Sequence, residues 1–137
     1  MPKVDSRGQE LIRRALLVQA RAYAPYSNYP VGAALLGRSG QVYEGVNVEN
    51  AAYPTSMCAE RSAVFHAISS GERQFEAIAV VTPNGGSPCG ACRQVLSEFG
   101  LDLIVYVADG EGHLLAQTTV GDLLPLAFRP SHLNPSP

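Results

Sequence analysis

Three cysteines are spread over the 137 residues in two short motifs, Cys58 in CAER at 58–61 and Cys89 and Cys92 in PCGAC at 88–92. An odd number of thiols does not read as a disulfide framework, so metal binding or catalysis is the expectation. Positions 89 and 92 are neighbours on a helix surface where a helix covers them. Zinc favours sulfur in a tetrahedral arrangement, and three protein ligands leave a fourth position for water, the pattern of a catalytic centre. His66 lies eight residues beyond Cys58, about 12 Å along a continuous helix, and cannot close the same tetrahedron. His113 and His132 stand in no ligand pattern with a second histidine or cysteine. The expected centre is therefore one zinc ion per chain held by three thiols.

Glu60 and Arg61 stand two and three positions after Cys58 in the motif. In a first helical turn, side chains at 58 and 60 both reach past the helix end. Glu60 then stands beside the open position without ligating, where a carboxylate takes a proton from activated water and returns it to substrate and leaving group. That is hydrolytic chemistry. Read alone, Glu60 would only complement a helix dipole; beside three converging thiols it is the candidate proton shuttle. Three thiolates outweigh the charge of the metal, and Arg61 can hydrogen-bond the sulfurs and withdraw the excess. Two other readings stay open on these residues alone. PCGAC ahead of a helix also suits a dithiol oxidoreductase with Cys89 as its exposed thiolate, although Cys58, Glu60 and Arg61 then have no role. A noncatalytic zinc brace follows where His113 or another side chain supplies a fourth ligand.

Composition narrows the partners. Hydrophobic residues make up 46% and charged residues 16% of the chain, enough for one domain with a real core at this length. No apolar stretch approaches the roughly 18 residues that span a bilayer. Net charge is −2, and the ten Lys and Arg form no cluster beyond Arg13 and Arg14, so neither nucleic acid nor a membrane is an expected partner. The opening MPKVDSRGQE has no apolar segment and no arginine-rich presequence, which makes a cytoplasmic location the expectation.

The elements that must hold the motifs follow from periodicity. Apolar residues at 11, 12, 15, 16, 17, 20 and 23 predict an amphipathic helix over 6–24, capped by Ser6 and ended by Pro25. VGAALLG (31–37), a turn at 38–40 and QVYEGVNV (41–48) predict a hairpin whose first strand, apolar throughout, should be central. A helix from Cys58 to Gly71, a buried strand at 75–82, a helix from Pro88 to Gly100, strands at 101–109 and 113–120 and a short helix at 121–128 complete the order. This is an α/β chain, a single-domain three-layer α/β/α sandwich with a mixed sheet of about five strands. Residues 1–128 are the expected domain and 129–137 a fraying tail. All three cysteines fall at helix N-termini, where α/β proteins gather ligands and the helix dipole favours thiolates.

CAER together with PCGACRQVL (88–96) resembles the zinc-dependent cytidine deaminases, the small nucleoside-acting members of the deaminase superfamily. The resemblance extends through YSNYPVGAALL (26–36), GVNVENAAYPTSMCAER (45–61) and LLPLAF (123–128). It implies Cys58, Cys89 and Cys92 as zinc ligands, Glu60 as proton shuttle, Asn47 and Glu49 as the residues that hold the ribose hydroxyls, and backbone around Ala59 as a contact to the base. Tyr29 stands where the family usually has a phenylalanine that stacks on the pyrimidine, and Phe128 matches an aromatic contributed by a neighbouring subunit. A homotetramer with composite active sites is implied in the same way. The implied reaction converts cytidine and deoxycytidine to uridine and deoxyuridine with release of ammonia, in pyrimidine salvage. Deaminases of other aminopyrimidine nucleosides, such as blasticidin S, share CAE and PCGxC, but ENAAYP at 49–54 is more similar to the cytidine enzymes.

Overall fold

In the structure, a computed structural model that describes residues 4–133, the first helix is α1 (Ser6–Gln19). Its cap is Asp5 rather than the expected Ser6. Asp5 Oδ1 accepts from Gly8 N at 2.7 Å, and a carboxylate there also meets the positive end of the helix dipole. α1 stops short of position 24 because the next residues are held elsewhere: Tyr23 N donates to Asn47 O at 3.0 Å and Glu49 N donates to Tyr23 O at 2.9 Å. The hairpin is β1 (Gly32–Gly37) and β2 (Val42–Val46). Then come α2 (Ala59–Ser69), β3 (Phe75–Val81), α3 (Gly90–Ser97), β4 (Ile104–Ala108), β5 (Leu114–Thr119), α4 (Val120–Leu123) and α5 (Pro130–Leu133).

The strands form one mixed sheet in the order β2-β1-β3-β4-β5. β1 is antiparallel to β2 and β3, β3 and β4 are parallel, and β5 runs back against β4. β1 is interior, but the centre belongs to β3, because the α3 crossover adds a parallel strand on its far side and β5 extends the sheet further. Since β2 and β3 are both antiparallel to β1, they run in the same direction. The helices that follow them, α2 and α3, therefore start from the same edge of the sheet. This topology brings Cys58 and Cys89 to one place.

Alternation along the strands sorts side chains onto two faces. Ala34, Ala77, Ala79 and Tyr106 pack with Leu11 and Ile12 of α1, while Leu35, Ile78, Val80 and Val105 pack with Val64 of α2 and Leu96 of α3. The result is the expected three layers. Two glycines let helices lie close to the sheet: a side chain at Gly32 would run into the Ala15 carbonyl, and one at Gly45 into the backbone of Ala59 and Ala63. Gly45 thus sets how deeply the first turn of α2 is seated.

Helix ends shift where capping and proline chemistry intervene. α3 begins at Gly90 rather than Pro88, with Cys89 as its N-cap in extended backbone. Pro125 disfavours helical geometry at Leu124, which sits at φ −140° and ψ 70°, so the expected helix at 121–128 is only the single turn α4. One more turn, α5, forms inside the stretch expected to fray, and the end of that stretch, 134–137, lies outside the described residues. No helix among the described residues is long and apolar enough to cross a membrane.

Candidate metal and substrate site

Cys58 and Cys89 are the N-caps of α2 and α3, and Cys92 lies in the first turn of α3. A cap position sends the side chain beyond the helix end, toward the unpaired backbone amides. The three Sγ atoms all lie within 4.8 Å of one another, with 3.8 Å between Cys58 and Cys89 and 3.4 Å between Cys89 and Cys92. Sulfurs bound tetrahedrally to one zinc ion stand roughly 3.8 Å apart, so this donor set fits zinc, the cofactor expected for it. All three cysteines are free of disulfides. Among the described residues no histidine or carboxylate joins the group: His66 Nδ1 faces Glu44 O at 3.1 Å, His113 Nδ1 lies 3.3 Å from Asp109 Oδ2, and His132 Nδ1 accepts from Arg129 N at 3.0 Å.

The thiols are not equivalent. Cys58 is pulled down to about 5, first by the neighbouring Cys92 thiol and then by Arg61, whose Nη2 donates to Cys58 Sγ at 3.4 Å. Cys92, fully buried, is pushed up by the neighbouring Cys58 and by burial. The Arg61 guanidinium thus stands against the thiol whose ionised form is favoured. Arg61 is made more basic in return, chiefly by its bond to Cys58, and its Nε is buried without a partner among the described residues. Glu60 is 5% exposed. Burial pushes its carboxyl up to about 7, and the Cys58 thiolate adds to the rise.

Cys58, Glu60, Arg61 and Cys89 line a pocket of about 540 Å³, to which Tyr29, Asn47, Glu49 and Ala59 also contribute; Cys92, fully buried, does not line it. Asn47 and Glu49 are engaged there by the 26–31 segment, which their types alone do not reveal. Asn47 Oδ1 accepts from Val31 N and its Nδ2 donates to Tyr29 O, both at 2.9 Å. Glu49 Oε1 accepts from Tyr26 N and Ser27 N at 3.0 Å, and Oε2 from the Ser27 hydroxyl at 2.5 Å. The Ser27 hydroxyl, ahead of the two amides, holds the Glu49 carboxyl below its usual range. Both side chains keep spare capacity, an amide hydrogen on Asn47 and lone pairs on each. Phe128 does not line this pocket. It is exposed, with its ring centre 5.4 Å from that of His132 and its carbonyl accepting from Gln94 Nε2.

Ser27 and Arg93 are positioning residues that the motifs do not single out. Arg93 donates to Pro88 O at 2.7 Å, to Ser87 Oγ at 2.9 Å and to Leu123 O at 2.7 Å, which pins the turn carrying Cys89. The available signal is an arginine on a helix with no acidic residue three or four positions away. Ser27 carries no such signal.

The family described as cytidine and deoxycytidylate deaminase zinc-binding region matches residues 5–108. The chain is 47% identical over 129 residues to a cytidine deaminase of Sporosarcina psychrophila, a span covering 92% of this chain and 94% of that one. It is 46% identical to one of Halalkalibacterium halodurans, over 92% of this chain and 97% of the relative. Among solved structures, the cytidine deaminase from Burkholderia pseudomallei superposes with a TM-score of 0.84 at 46% identity, over 91% of this chain and all of that one. Likeness of this extent, in sequence and in fold, is family membership: the chain belongs to the cytidine and deoxycytidylate deaminases, whose zinc-binding region it carries.

Proposed function

We propose that this chain hydrolyses cytidine and deoxycytidine to uridine and deoxyuridine, adding one water and releasing one ammonia. The observation that carries the reading is the meeting of three Sγ atoms within 4.8 Å of one another, two of their cysteines lining a pocket that the buried Glu60 also lines. When held by Cys58, Cys89 and Cys92, zinc supplies a Lewis acid that makes water nucleophilic at neutral pH. Glu60 takes a proton from that water and passes it to ring nitrogen 3 of the base. As the water oxygen becomes the new carbonyl at carbon 4, Glu60 passes a second proton to the amino group, which leaves as ammonia. Arg61, bonded to Cys58, offsets the charge of the thiolates.

The rim orients the nucleoside. Asn47 and Glu49 hold the ribose hydroxyls with the donors and lone pairs that the 26–31 segment leaves free, Tyr29 presents its ring to the base, and backbone at Ala59 meets the polar edge of the base. Phe128, exposed and away from its own pocket, completes a neighbour's site in a homotetramer. Residues 1–128 form the catalytic domain and 129–137 a tail. A net charge of −2 without a basic cluster supports a free nucleoside as substrate rather than nucleic acid, and a cytoplasmic role in pyrimidine salvage follows from that substrate.

The test is the ultraviolet absorbance change when the zinc-loaded protein meets cytidine, beside Glu60→Gln, with zinc content measured for both. The expected result is turnover by the wild type and a fall of about 10²- to 10⁴-fold in kcat for the variant, the usual worth of a general acid and base, with one zinc retained per chain. A zinc-loaded wild type without turnover, or a variant with turnover intact, defeats the reading.

A further inference from the structure

Tyr29 precedes β1 and Asn84 follows β3, yet the Tyr29 hydroxyl donates to Asn84 Oδ1 at 2.6 Å. Tyr29 lines the pocket together with Glu60 and Cys89. Its backbone is held from behind, its carbonyl accepting from Asn47 Nδ2 at 2.9 Å and its amide donating to Ser27 Oγ at 3.1 Å. The Asn84 loop is held as well: Gly86 N donates to Thr82 Oγ1 at 2.6 Å, and Gly85 turns the chain at φ +81°, where a side chain would strain the backbone. A Cβ at Gly86 would stand 2.6 Å from the Tyr29 hydroxyl oxygen. The bare backbone at 86, the amide at 84 and the phenol at 29 are thus fitted to one another across the pocket.

We propose that Asn84, acting through Tyr29, is a positioning residue for substrate binding: their hydrogen bond ties the loop leading into Cys89 to the 27–31 wall and fixes the Tyr29 ring before the nucleoside arrives. A phenylalanine in place of Tyr29 offers the same ring area but leaves its two side-chain torsions to be ordered during binding. A ring held at its hydroxyl has that ordering cost removed. The tie touches no reacting atom, so it acts on KM and leaves kcat alone. This proposal rests on the deaminase reading above.

A double-mutant cycle tests it, using Tyr29→Phe, Asn84→Ala and the double variant of the zinc-loaded protein, read both in cytidine kinetics and in urea unfolding. Each single variant is expected to raise KM about threefold to tenfold, the fold-change of one hydrogen bond, with kcat within about twofold of wild type and zinc content unchanged. The double variant is expected to be no worse than either single one, and the same coupling is expected in unfolding. Additive effects on KM, or coupling in unfolding with KM unmoved, overturn the proposal. Absence of cytidine turnover in the zinc-loaded wild type defeats the deaminase reading and the substrate role with it. The unfolding cycle reports the tie independently, and its absence there overturns the proposal even where cytidine is turned over.

Discussion

The three-thiol end of the pocket and its proposed substrate rim are built in different ways. Cys58, Glu60, Arg61, Cys89 and Cys92 all sit at caps or in first turns of two helices, so local backbone aims them. Tyr29, Asn47 and Glu49 lie outside the named strands and helices. They are held by hydrogen bonds between residues 16 to 23 positions apart. One end is a property of helix termini, and the other of one loop resting on another. Metal chemistry and substrate affinity should therefore fail separately.

The largest effect is expected from Cys92→Ala, which removes the buried thiol of the three-sulfur group. Zinc stoichiometry should fall well below one per chain, and turnover by more than about a hundredfold, since the Lewis acid contributes several kcal/mol to the transition state. Metal analysis and the cytidine assay check both numbers, and full zinc in this variant would mean that two thiols suffice. Arg61→Gln should weaken zinc retention by about ten- to a hundredfold, the usual cost of losing a group that supports a ligand. Competition with a chelator measures this, and unchanged retention would reduce Arg61 to a bystander.

Rim variants sharpen the contrast from the other side. Asn47→Ala strands Val31 N and Tyr29 O without their side-chain partners. It should cost about 1–3 kcal/mol in urea unfolding and raise KM for cytidine while zinc content stays at wild-type level. Loss of zinc here would show that the two ends are not separable. The smallest expected effect is a pH dependence at Glu49. Its carboxyl is held low in the folded chain by the Ser27 hydroxyl and the amides of 26 and 27, whereas an unfolded glutamate titrates near about 4.3. The stabilisation is therefore present above that value and is lost as pH falls through the lower folded one. The gap in urea midpoint between wild type and Glu49→Gln should narrow on acidification from about pH 6 to pH 3, and a gap that stays constant would remove Glu49 from the hydrogen-bonded rim.

Helix termini were legible because they are local events. Cys58 and Cys89 fall at the starts of α2 and α3, and α2 ends just before Gly71 at φ +94°, as glycine chemistry requires. Expectation and structure part where a distant partner intervenes. α1 ends at Gln19 because the Tyr23 backbone pairs with a segment beyond the hairpin, which no helical periodicity around 6–24 can register. Ser6 lost the cap to Asp5 for a nearer reason, since either residue type caps well and the carboxylate also offsets the dipole.

The amino-acid sequence by itself determined the donor set, the carboxylate beside it, the helices that present them and the two-faced apolar pattern of β1, β3 and β4, because each is written in residue type and short spacing. Only the tertiary structure decided that α2 and α3 start from one edge of the sheet, that Gly45 seats α2 against β2, that Asn47 and Glu49 spend part of their bonding capacity on the 26–31 segment, and that Tyr29 meets Asn84. Those outcomes depend on strand direction and on contacts between residues far apart in the chain, which exist only once the sheet has closed around them.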